Sequence, residues 1–158
     1  MKARLAAVGL LPVLALVACG GSSAKFSEPA KQYLAAVSAL NQAHDEFNKT
    51  NDDLDNKNAP TKDYVPPIKT FVAAIRAFDA TMASVPWPAA AEADVKALTD
   101  SDAKFVEAMD AFATAAIGTA PADFEGLGSA MNSAAYDAAA AALVVEKDVG
   151  IAASRPSA

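Results

Sequence analysis

Cysteine, histidine and tryptophan each occur once in the 158 residues. A single thiol excludes an intrachain disulfide framework and a Cys-x-x-Cys redox pair. With one imidazole beside it, no zinc site can be assembled from several Cys and His ligands of one chain. Basic runs are also missing, and the formal charge is −6, from 13 Lys and Arg against 19 Asp and Glu. Phosphate neutralisation requires clustered cations, so nucleic acid is not an expected partner. Seven glycines and nine prolines are too few for a collagen-like or low-complexity chain. What is abundant is apolar residue, 53% of the chain, and alanine, 41 of 158. That apolar share is too high for a disordered protein. Alanine is the strongest helix former, so the composition points to an all-α domain.

The first residues read as an address. Lys2 and Arg4 supply two positive charges, and residues 5–17 are apolar apart from Gly9 and Pro12. This is the order of an export signal, and the run is shorter than the ~20 residues a bilayer-spanning helix requires. It ends Leu16-Val17-Ala18-Cys19. The segment resembles the signal of bacterial lipoproteins, whose lipobox is a Leu, a small or branched residue, a small residue and then Cys. The resemblance implies cleavage after Ala18 and a diacylglyceryl group on Cys19, with the new amine often acylated as well. Each buried CH₂ contributes about 0.8 kcal/mol, so two or three acyl chains hold where one does not. Loss of Lys2 and Arg4 with the leader 1–18 takes the charge from −6 to −8. Residues 19–26 then form the lipidated Cys and a Gly/Ser tether of flexible composition. The folded domain is expected over 27–150, with 151–158 as a C-terminal tail.

Four amphipathic segments fill the domain. The first runs over Glu28–Asn56, with Ser27 as N-cap and Tyr33, Val37, Leu40, His44, Phe47, Asn51 and Leu54 on one helix face. Its last turns, rich in Asn and Asp, are poor helix formers and are expected to fray. The second covers 62–84, with Pro66 and Pro67 in its first turns or delaying its start. Ile68, Phe71, Ile75, Phe78, Met82 and Val85 make its stripe, and Lys69, Arg76 and Asp79 its polar face. The third opens at Pro88 and runs to Ile117, its stripe holding Ala91, Val95, Leu98, Asp102, Phe105, Met109, Phe112 and Ala116. Gly118 serves as its C-cap. The fourth covers 122–149, with Phe124, Leu127, Met131, Ala134, Ala138, Ala141 and Val145 on one face. Beside them runs a row of small residues, Gly126, Ala130, Ala134, Ala138 and Ala142, and Gly150 ends the helix. Four stripes joined by short Pro/Gly turns bury one another as an up-down-up-down antiparallel four-helix bundle.

Catalytic and metal patterns do not emerge from the spacing. A di-iron bundle needs Glu-x-x-His pairs, but Asn41 stands three residues before His44. Counted as a calcium loop from Asp53, position five is Lys57, position six is Asn58 rather than Gly, and position twelve is Tyr64 rather than Glu. Haem ligation by His44 with Met82, Met109 or Met131 competes with the ordinary role of core methionines as gap-fillers. Gly126-Leu127-Gly128-Ser129 is not the nucleophile elbow, and Met131 stands where a dinucleotide motif needs a third Gly. His44 lies on an apolar face, as a core-edge histidine bonded to a neighbour does. Asp and Glu are spread over the polar faces as on solvated helices. No catalytic residue, metal or cofactor is therefore expected.

The lipobox, the Ala-rich helical body and the Pro86-Trp87-Pro88 junction together resemble small lipoproteins of high-GC Gram-positive bacteria, including mycobacteria. The resemblance implies a lipid-anchored protein on the outer face of the cell membrane, and it carries over no functional residue beyond Cys19. The expected role is a non-catalytic accessory that binds another envelope protein. The alternative is a carrier or sensor holding a small apolar ligand between its helices. Helix direction would bring Phe26, Trp87 and Ile151 to the anchored end, where Trp87 could sit at the membrane interface or cap the bundle core.

Overall fold

The computed structural model describes residues 26–151. The leader with Ala18, the Cys19 anchor, the rest of the tether to Lys25 and the tail from residue 152 lie outside the described residues. The chain forms α1 (Glu28–Asn56), a single 3-10 turn (Thr61–Tyr64), α2 (Val65–Ser84), α3 (Ala89–Ile117) and α4 (Phe124–Asp148). Consecutive helices run antiparallel and pack as a four-helix bundle, with α3 and α4 packed on each other most extensively.

Local chemistry sets the helix ends. Ser27 caps α1, its hydroxyl accepting from the Ala30 amide at 3.4 Å. The far end of α1 does not fray. Asn58 takes a left-handed conformation (φ 50°), and the Ala59 and Asn58 amides return to the carbonyls of Leu54 and Asp55 at 2.9 Å. This is a Schellman closure, with Asn in the place glycine usually takes. The Tyr64 hydroxyl also donates to the Asp55 carboxylate, tying the end of α1 to the turn that follows. The two prolines delay α2 to Val65, where they occupy the first helical positions, whose amides need no partner. Pro88 stands just before α3, and Asp123 caps α4 by accepting from the Gly126 amide at 3.0 Å. Gly150 (φ 79°) closes α4 in the same Schellman manner, with the Ile151 amide bonded to the Glu146 carbonyl at 2.8 Å. A side chain in that conformation would be strained. Ile151 is thereby folded into the core rather than left in the tail.

The apolar faces gather into two clusters, one in each half of the bundle. At the end away from residue 26, Phe47, Ile68, Phe71, Phe105, Met109, Phe112 and Met131 pack together, with Phe71 stacked on Phe47 and edge-on to Phe105. At the end beside residue 26, Tyr33, Val37, Phe78, Met82, Val95, Leu98, Ala142, Val145 and Ile151 form the second cluster. Phe26 already packs there, one residue before the expected start of the domain. Leu40 touches both clusters. The side of α4 that is buried carries Ala135, Ala138, Ala139 and Ala142, whereas Gly126 and Ala130 of the expected small-residue row are exposed. Ala138 and Ala142 of that row are buried and its first members are not, because a strict spacing of four drifts around the helix and α4 is Ala-rich nearly all round.

Candidate functional site

Polar groups inside the bundle are few and are held at separate levels. At the waist, between Leu98 of one cluster and Phe105 of the other, α3 places Asp102 on its buried stripe, 6% exposed. The antiparallel α2 brings Asp79 opposite, within hydrogen-bonding reach of the Asp102 carboxyl. Burial and the neighbouring Asp79 push Asp102 up to about 8, so at neutral pH it holds a proton and donates it. Burial also raises Asp79, and the hydrogen bond from Asp102 offsets part of that rise. Two carboxyls so close in an apolar setting cannot both ionise without strong repulsion. Asp79 Oδ1 and Asp102 Oδ2 are buried, and no donor from the other described residues reaches them. Asp79 therefore leaves the polar face that α2 periodicity gave it. One turn away, Arg76 keeps to that face and pairs with Asp110 across the α2–α3 seam at 3.0 Å.

His44 lies one level further along α1, buried with its ring 5.5 Å from that of Phe71. The Asn48 amide donates to Nε2 at 3.1 Å. Burial holds the imidazole below its usual range, against a smaller opposing pull from Asp45, so it is neutral at pH 7. His44 does not meet the carboxyl pair: its ring faces the aromatic cluster.

A surface groove of about 280 Å³ lies between α1 and the first turns of α2. Phe47 and Phe71 floor it, Ala43, Thr50, Pro66 and Thr70 line its sides, and Glu46 is its charged group. Neither His44 nor the carboxyl pair lines it. The Tyr64 phenol, pushed up to about 12 by burial and by its bond to Asp55, closes this end of the molecule.

The opposite end holds Trp87. Its indole N–H donates to the Met82 carbonyl at 2.7 Å, and its ring stands edge-on to Tyr33 at 6.3 Å. Phe26, Trp87, Val149 and Ile151 pack on the same cluster. Here the Tyr33 hydroxyl crosses to α4, donating to the Ala142 carbonyl at 3.4 Å. Nearby, the Asp94 carboxyl at the start of α3 meets Asp148 at the end of α4, and that hydrogen bond raises Asp94.

No group of three or more His, Cys, Asp or Glu able to hold a metal ion occurs among the described residues. Among them too, no helix is long and apolar enough to cross a membrane. Comparison with protein-family models, with curated proteins and with solved structures finds no match to this chain. Spacing alone put Asp102 on an apolar stripe, which was the signal available for the waist pair. Glu146, fully buried on α4, gave no such signal, because it falls just outside the stripe that Val145 belongs to.

Proposed function

We propose that this chain is a lipid-anchored helical module on the outer face of the cell membrane, moored through Cys19 and acting as a non-catalytic binding accessory of the envelope. The observation that carries the reading is the order of features along the first 26 residues: two cations, an apolar run, Leu16-Val17-Ala18-Cys19, and a Gly/Ser tether. The helical body supports it in two ways. Among the described residues no helix is long and apolar enough to cross a membrane, and the reading accordingly puts attachment in the N-terminal segment. The body also begins within seven residues of Cys19, a stretch that reaches at most about 25 Å when extended. In this reading the end bearing Phe26, Trp87 and Ile151 faces the bilayer, and the partly buried Trp87 ring is the reporter of its seating. The partner is met by the far end, where the acidic terminus of α1 and the groove over Phe47 lie.

The non-catalytic part rests on placement. His44, the carboxyl pair and the groove occupy different levels of the bundle and do not converge on one cavity floor. Between the helices, space is taken by aromatic rings in both halves and by the extensive α3–α4 packing. That favours a binding surface over an internal carrier of an apolar ligand.

Expression of the Cys19→Ala chain in the native host tests the reading. The expected result is retention of the leader, loss of acyl label and no mature form in the membrane fraction. A Cys19→Ala chain that is trimmed and fractionated like the natural one would overturn it.

A further inference from the structure

The waist of the bundle is an unusual place for two acids. Asp102 is 94% buried, Asp79 is half-buried, and each comes from a different helix. An apolar cluster lies on either side, and each acid keeps one buried oxygen that no donor from the other described residues reaches. An ordinary bundle would place Leu or Ala at such positions, which needs no proton to hold the helices together.

We propose that Asp79 and Asp102 form a proton-operated latch between α2 and α3, closed while the two carboxyls share one proton and released when that proton passes to solvent base. In the closed state the protonated Asp102 donates to the Asp79 carboxylate and links the helices across the waist. In the released state two carboxylates face each other in an apolar setting, and α2 and α3 separate there to let water reach both. The clusters at either end remain packed, so the opening is local.

The surroundings leave this titration to the pair. On α1 the titratable residue between Lys31 and His44 is Tyr33, whose buried hydroxyl donates to the Ala142 carbonyl, and His44 faces Phe71. On α4 only Tyr136 and Asp137 titrate between Glu125 and Glu146, and both are exposed. On α2 the nearest charge is Arg76, engaged with Asp110 of α3. On α3, Lys96 is bonded to Asp100 and Lys104 is exposed. The charged group acting on Asp102 is Asp79. A second carboxyl contact on α3, Asp94 with Asp148, is at the exposed end of the bundle and serves as a control.

Hydrogen exchange read by mass spectrometry on the full chain in mild detergent tests the latch, after correction for the intrinsic pH dependence of exchange. Opening of the segments 76–82 and 99–105 should rise by nearly ten-fold for each pH unit between about 6.5 and about 8, since one proton is lost on opening. Asp102→Asn and Asp79→Asn should each remove that dependence, and Asp94→Asn should keep it. Exchange independent of pH in the natural chain, or an undiminished dependence in Asp102→Asn, overturns the proposal. Carbon-13 carboxyl NMR of the natural chain needs no variant: Asp79 and Asp102 should titrate as a linked pair, with one step well above the ordinary aspartate range. Two independent steps at ordinary values would overturn it as well.

Discussion

At the scale of single residues, Asp102 and His44 are buried groups whose shifts act on stability with opposite sign. Asp102 has its folded value raised, so its contribution is complete below the ordinary aspartate range and is lost as pH rises toward about 8. His44 has its folded value lowered, so its contribution is complete above about 6.5 and is lost as pH falls through the depressed value. Between about pH 8 and 6.5 the acid pair binds protons on folding, and urea midpoints should climb as the solution is acidified. Below about 6.5 the unfolded imidazole takes up a proton that the folded one resists, and the climb should flatten. His44→Gln should let the climb continue below that point, and a flattening that persists in this variant would show that His44 is not its cause. The two groups differ in how far the sequence disclosed them. His44 and Asp102 both fall on stripes defined by spacings of three and four, so their burial follows from periodicity alone. Asp79 sits three residues after Arg76, on the edge of its helix face. Which way it turns is decided by α3, and no pattern within α2 records that.

At the scale of elements, the caps carried as much information as the stripes. Ser27, the proline pair at α2 and Gly150 each sit where their backbone preferences require, and four helices follow from them. The far end of α1 is the exception. Its Asn- and Asp-rich residues have low intrinsic helix propensity, but Leu54 packs on the core, Asn58 closes the helix and Tyr64 binds Asp55. Tertiary contact overrides propensity there. On α4 the reverse holds, because many alanines fit a helix equally well and only the neighbour picks the buried ones. That makes a direct comparison available within one helix. Ala138→Leu, at a position 5% exposed, should cost about 1–3 kcal/mol by overpacking. Ala140→Leu, on the exposed side, should change stability by less than about 0.5 kcal/mol. Denaturant unfolding of both variants decides the matter, and equal effects would contradict the extensive packing of α4 on α3.

At the scale of the whole molecule, one end differs from the other in a way that fits attachment. Helix α1, with 29 residues, extends about 43 Å from the end beside residue 26. On the proposed anchoring through Cys19, its far terminus and the groove between α1 and α2 would stand clear of the membrane. Net charge of −8 on the processed chain would give such a body no electrostatic attraction to anionic headgroups, so on the proposed reading the acyl chains supply the main attachment. The central claim is that the processed chain begins with an acylated Cys19. Intact-mass measurement of the protein extracted from membranes of its native host tests it most directly. The account predicts a chain starting at Cys19 and carrying the mass of a diacylglyceryl group, with or without a further acyl chain on the amine. A mature chain with an unmodified thiol, or one beginning at any other residue, would contradict it.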